Sequence, residues 1–226
     1  MNLGLGIISI IITFSIPVIM EKKFQKEGLY VWISIATIIA NILVCKSIEL
    51  FHYTTNLGNI LFASSFLAGD ILNEKYSKRD SKQAVLLAVI AQIVFIIMTQ
   101  MALQYIPSKE DLAQESMKTL FQLNIRVSIS SIIMYFISNY ANIYIYNRIK
   151  EKVPKKLWLR NNISTIISNS LENYLFTTFA FIGIFSIKTI VEIATIASIL
   201  EIILAILDKP FLYLAVKGRN YENSND

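Results

Sequence analysis

The sequence predicts an all-α protein: a polytopic helical bundle in a membrane, with a six-helix core and one extra N-terminal helix. Three observations carry that expectation. Hydrophobic residues make up 54% of the 226 and charged residues only 16%, against about 25% charged in soluble domains. The apolar residues gather in seven long blocks, most of about 18 to 28 residues, where a barrel would show short alternating strands. Basic residues alternate between successive connections, being dense in every second one and sparse in the others.

The first block, Leu3 to Met20, reads as a retained helix rather than a signal peptide. Met1 to Gly6 carries no positive n-region, and Ser15 to Met20 offers no small-residue cleavage site. With no ionisable residue inside it and Pro17 near its inner end, it looks like a peripheral addition, so residues 1–28 stand apart from the core. Blocks two to seven, Leu29 to Ile48, Leu57 to Leu72, Ala84 to Ile106, Gln122 to Asn147, Ile163 to Ile187 and Thr189 to Val216, define a core over 29–216. Residues 217–226 are a polar tail. Lipid offers the backbone no hydrogen-bond partner, so such runs must be helical.

The connections give the orientation. Lys22, Lys23 and Lys26, then Lys75, Lys78, Arg79 and Lys82, then Arg148 to Arg160, and finally Lys217 and Arg219 hold fifteen of the 21 basic residues. The connections between them carry few, and Glu110, Asp111 and Glu115 outweigh Lys109 and Lys118. Seven spans follow, with the N-terminus outside and the C-terminus cytoplasmic in a bacterial-type inner membrane. Trp32 and Trp158 are expected as interfacial anchors on the cytoplasmic side.

Several function classes fall away. The net charge of +5 sits in loops that set orientation, so nucleic acid is not an expected partner. One cysteine, Cys45, cannot form an internal disulfide, and one histidine, His52, cannot build a metal site. No hydrolase, metalloprotease or Walker A motif is present, so neither an enzyme nor a cofactor is expected. Seven glycines with no filter-like loop argue against a channel.

Polar side chains at membrane depth are costly, so they mark the expected site. Counting about 1.5 Å per residue, Asn41, Glu172 and Glu201 each fall roughly 18 Å into their helices, near one level. Gln92 and Asn139 lie in the inner half or near the middle, and Asp70 joins from helix three. Tyr135, Asn139, Asn142 and Tyr146 share one helical face, as do Thr165, Asn169 and Glu172. Both faces should point inward. Asp70 and Glu74 lie near a helix C-terminus, where the dipole disfavours anions. Lys75, Lys78 or Arg79 are the expected compensation, and Gly69 is a point at which the backbone can open. Lys209, beside Asp208 and before Pro210, reads as a charge snorkelling to the inner face.

Ala40-Asn41-Ile42-Leu43, Gly69-Asp70-Ile71-Leu72-Asn73-Glu74-Lys75-Tyr76, Trp158-Leu159-Arg160-Asn161-Asn162 running into Ser164 to Asn169, Glu172 and Asp208-Lys209-Pro210-Phe211 together resemble the queuosine precursor transporters, also grouped as vitamin uptake transporters. The resemblance covers about Leu29 to Val216, six helices. The family pattern often has Asp at the position of Asn142 and Lys at that of Glu201. The resemblance implies uptake of a 7-deazaguanine base or a related nucleoside. A guanine-like edge presents N1–H and an exocyclic amine that one carboxylate can accept together. Glu172 is then the leading reader of that edge and Asp70 the second, with Asn41, Asn139 and Asn169 as amide partners. Glu201 suits a cationic aminomethyl group, and Gln92 and Tyr135 complete the expected lining. Coupling to the proton gradient through a protonated Glu172 or Asp70, and a homo-oligomer, are left open. The alternatives are a binding subunit of an energy-coupling-factor transporter, working with an ATPase module and docking another membrane subunit through the small face of Ala36 and Ala40, or a carrier for another vitamin or purine.

Overall fold

A computed structural model of the chain describes residues 2–43, 46–50, 53–121, 125–183 and 186–217; Cys45 and His52 lie outside the described residues. In chain order the elements are α1 (Asn2–Leu43), β1 (Ser47–Leu50), β2 (Tyr53–Asn56), α2 (Gly58–Lys75), α3 (Lys78–Gln104), α4 (Gln114–Phe121), α5 (Ile125–Lys152), α6 (Leu157–Phe181), α7 (Ile187–Leu207) and α8 (Lys209–Val216). The protein is all-α apart from a small antiparallel hairpin that pairs Ser47 with Asn56 and Leu50 with Tyr53. Among the described residues three stretches are long and apolar enough to cross a membrane: Gly4–Leu43, Lys78–Gln104 and Ile187–Val216.

The first two apolar blocks both lie in α1, which breaks at Gln25 (φ 54°, ψ −140°). The break is a reversal rather than a bend. In a straight helix Met20 and Gly28 stand about 12 Å apart, yet a Cβ built on Gly28 falls 2.5 Å from the Met20 carbonyl oxygen. Only a residue without a side chain lets the two arms come this close. Gly28→Ala is expected to destabilise the fold by about 1–3 kcal/mol, since the obstacle is backbone that cannot step aside. A thermal melt of the purified variant checks this, and an unchanged midpoint would show that the turn has room to spare.

Pro17 explains how the first arm is fixed. It has no N–H to give the Thr13 carbonyl four residues earlier. Instead Ser64 of α2 donates its hydroxyl to Thr13 O at 2.8 Å, and Trp32 of the second arm donates Nε1–H to Ser64 Oγ at 2.9 Å. Three passes of chain are tied at one point. Phe14 also meets Phe211 of α8 edge to face, ring centres 5.6 Å apart. At the arm's end the buried Glu21 pairs with Lys75 at 2.7 Å and accepts the Tyr76 hydroxyl at 3.0 Å. Burial first, and the Glu21 carboxylate second, push that hydroxyl's pKa up.

Two expectations change accordingly. The first arm is not peripheral, because Pro17 leaves it an unpaired carbonyl that α2 satisfies. Trp32 is no interfacial anchor, since it is buried at 7% exposure and its indole N–H has an internal partner. Trp158, half exposed at the start of α6, has the exposure expected of an anchor.

Helix ends overrun the apolar blocks. α2 continues to Lys75, α3 begins at Lys78 and α5 continues to Lys152, because Lys, Arg and Glu are good helix formers that hydropathy alone discounts. Ser77 caps α3 by accepting from Asp80 N at 3.1 Å. The seventh block divides at Asp208, where Pro210 withholds an N–H and α8 starts. The exposed α4 has no buried residue, and neither it nor the hairpin has an apolar signature to announce it.

Large apolar side chains cover the outside: Ile8, Ile12, Ile93, Ile97, Ile199 and Ile203 are all more than 40% exposed. Asp70, Gln92, Asn142, Arg160, Asn161, Ser164 and Thr165 are buried. This inversion of the soluble pattern is what a lipid solvent selects.

Candidate functional site

Helix α5 orders the site because its inward face touches the other polar helices in turn. Tyr135, Asn139, Asn142 and Tyr146 are all at most 4% exposed, as the four-three-four spacing requires. Beside them Ser131 donates to Asn41 Oδ1 at 2.8 Å, Ser138 to Glu172 Oε2 at 2.5 Å, Asn142 to Asp70 Oδ1 at 3.2 Å, and Tyr146 to Glu74 Oε2 at 2.9 Å. From Ser131 to Tyr146 the helix rises about 22 Å. The polar groups therefore form a column rather than one level.

Asn41 stands about 10 Å along α5 from Glu172, so the expectation that Asn41, Glu172 and Glu201 converge at one depth holds only for the two carboxylates. Glu201 is buried and accepts Asn173 Nδ2 at 2.8 Å, and Asn173 follows Glu172 directly in the chain. The depth count failed for Asn41 because the second arm of α1 ends at Leu43, two residues beyond it, whereas the apolar block runs on to Ile48. Asp80 meets Lys26 at 3.0 Å and Tyr30 at 2.7 Å, and α3 runs alongside the second arm from there. Gln92, twelve residues on, is thus near the level of Asn41.

The carboxylates differ in how fully they are engaged. Asp70, with no exposed surface, receives Asn142, Thr165 at 3.3 Å and Asn161. Among the described residues Glu172 receives one hydrogen bond, from Ser138. Gln92, Tyr135 and Asn169 each bury a polar side-chain atom that has no hydrogen-bond partner among the described residues, and in Gln92 both amide atoms are so placed. Asn139 turns its amide back to the Tyr135 carbonyl at 2.9 Å. Tyr135 lies against Phe62, rings 6.1 Å apart.

Toward the basic end the column becomes an ion network. Arg160 is fully buried and binds Glu74, the Tyr146 hydroxyl at 3.4 Å and the Pro154 carbonyl. Lys150 approaches Glu74 at 3.6 Å. The compensation for Glu74 thus comes from α6 and α5, not from Lys75, Lys78 or Arg79; Lys75 is committed to Glu21. Arg160 is a core residue, although its place in a basic connection reads as orientation signal. Lys209 does not snorkel. Its ammonium bonds Asn161 Oδ1, Ala205 O at 2.6 Å and Asp208 Oδ1 at 3.0 Å. Gly69 stays helical, and Ser81 reaches its carbonyl at 3.4 Å.

An open groove of about 820 Å³ runs between α5 and α6, lined by Ile129, Ile133, Ile137, Leu175 and Phe179. Its walls are hydrocarbon, so they offer little to a polar solute. Among the described residues no cluster of His, Cys, Asp and Glu could hold a metal ion.

An apolar exterior around a buried column of amides, carboxylates and tyrosines fits the class of membrane-embedded small-molecule transporters. A family model described as "Putative vitamin uptake transporter" matches residues 56–215. A protein of Bacillus subtilis (strain 168) named "Probable queuosine precursor transporter" is 34% identical over 209 residues, 92% of this chain and 91% of that protein. The chain belongs to this vitamin uptake and queuosine precursor transporter family, and it is a transporter rather than an enzyme. No solved structure matches it.

Proposed function

We propose that the chain carries a 7-deazaguanine queuosine precursor, or a related nucleobase or nucleoside, into the cell. It does so as a seven-span carrier with its N-terminus outside, its C-terminus cytoplasmic and its transport unit in residues 29–216. The observation that carries this reading is the free capacity of Glu172. A carboxylate has about four acceptor positions, and Ser138 fills one. A guanine-type edge offers two parallel N–H groups at the spacing of a carboxylate, and Asn169, one helical turn from Glu172, holds a buried amide oxygen available to it, while Gln92 holds unpartnered amide atoms farther along the column. Tyr135 and Asn139 line the same column, Asn41 closes its outer part, and Glu201 beside Glu172 suits the cationic aminomethyl variant. Asp70 already holds three donors, which favours a supporting role. The relative named as a queuosine precursor transporter supports the same cargo.

Ala36 and Ala40 are fully buried within the bundle. A docking membrane subunit would need that small face on the outside, so a stand-alone carrier driven by an ion gradient is favoured over a binding subunit of an energy-coupling-factor transporter. Purified protein in liposomes is expected to exchange labelled nitrile precursor for unlabelled precursor without ATP. It should also gain thermal stability with the precursors and not with an unrelated vitamin. Uptake that appears only with a co-purified ATPase would refute the stand-alone reading.

A further inference from the structure

We propose that Asp208 is the residue that carries the coupling proton of this transporter, a reading that rests on the carrier function above. Asp208 lies where α7 gives way to α8, and it is 1% exposed. A continuous line of contacts joins it to the substrate column: Asp208 Oδ1 accepts from Lys209, the same ammonium reaches Asn161 Oδ1, and Asn161 Nδ2 reaches Asp70 Oδ2. Its second oxygen, Oδ2, is buried with no hydrogen-bond partner among the described residues, as is Asn142 Oδ1 on the other side of Asp70.

The charges around this centre are Glu21 from α1, paired with Lys75 of α2 whose ammonium also reaches Ala215 O of α8 at 3.3 Å, Asp70 and Glu74 from α2, Tyr146 from α5, Arg160 from α6, and Lys209 beside Asp208. Arg160 is taken by Glu74. One ammonium, Lys209, is left to serve both Asp70 and Asp208, and the ion network's further cation, Lys150, is a third exposed at the rim. A buried carboxylate in excess is costly in hydrocarbon and is neutralised by pairing or by a proton. Among the described residues no cluster of His, Cys, Asp and Glu could hold a metal ion here. A proton needs a single oxygen. It is taken from water outside, forms an O–H bond at Asp208 Oδ2 and cancels one negative charge; opening of the inner end returns it to water inside. Glu172 is left to the substrate.

The test uses full-length protein in liposomes with labelled nitrile precursor. Wild type should accumulate label under an inside-alkaline pH gradient and not under a sodium gradient alone. Asp208→Asn should lose accumulation, falling to simple equilibration, while exchange at equal pH stays within about twofold of wild type. Asp208→Glu, which keeps the carboxylate, should retain accumulation with a displaced pH profile, and it serves if the Asn variant fails to fold. Normal accumulation by Asp208→Asn, an unmoved profile in Asp208→Glu, or accumulation driven by sodium would overturn the proposal while leaving the carrier reading intact. Loss of exchange in folded Asp208→Asn would also overturn it, by placing Asp208 in cargo binding. Absence of exchange in wild type removes the carrier reading and the proposal together.

Discussion

Arg160→Ala is expected to lower stability by about 3–5 kcal/mol, the cost of stripping one partner from a buried ion pair. The substitution leaves Glu74 at 4% exposure without its guanidinium, and it frees the Pro154 carbonyl and the Tyr146 hydroxyl from their shared donor. Lys150, at 3.6 Å, is too far to replace a hydrogen-bonded contact. The double variant Glu74→Gln, Arg160→Met should recover much of the loss, because an uncharged pair of similar volume leaves no buried charge behind. Thermal melts of the three proteins in one detergent decide it. Equal midpoints for wild type and Arg160→Ala would mean that the network is solvated and contributes little.

Glu172→Gln is expected to weaken binding of the nitrile precursor by about 1.5–3 kcal/mol, roughly 10- to 150-fold in Kd. The amide keeps the volume and can still accept from Ser138, so folding should survive. What it loses is the second charged acceptor for a two-donor edge, and it places an NH2 against an N–H. Titration of purified protein with labelled precursor measures the change, and an unaltered Kd would remove Glu172 from the site. Asp70→Asn is the informative contrast. Asp70 already holds Asn142, Asn161 and Thr165, so its replacement should act mainly on stability.

What could be read from the sequence follows its range. The inward face of Tyr135, Asn139, Asn142 and Tyr146 was legible because four-three-four spacing is a local property of a helix. The long apolar helices were legible for a similar reason. Pairings between distant positions were not. Nothing near Arg160 announces Glu74, 86 positions away, and a count of basic residues by connection assigns Arg160 and Lys75 to orientation along with the exposed lysines. Trp32 followed the usual preference of indoles for interfaces until Ser64, on another helix, gave it an internal partner. The depth of Asn41 failed because the helix stops at Leu43, two residues beyond it, while the apolar block runs on to Ile48.

The tie at Ser64 has a consequence for how the chain is made. Synthesis runs from the N-terminus, so both arms of α1 exist before Ser64 does. During that interval the Thr13 carbonyl lacks the donor that Pro17 cannot provide, and the Trp32 indole lacks its acceptor. The close fit of Gly28 against Met20 and the apolar faces of the two arms are then what hold them together. The nascent hairpin is a half-finished structure with two open valences, and α2 is the strand of chain that closes both at once.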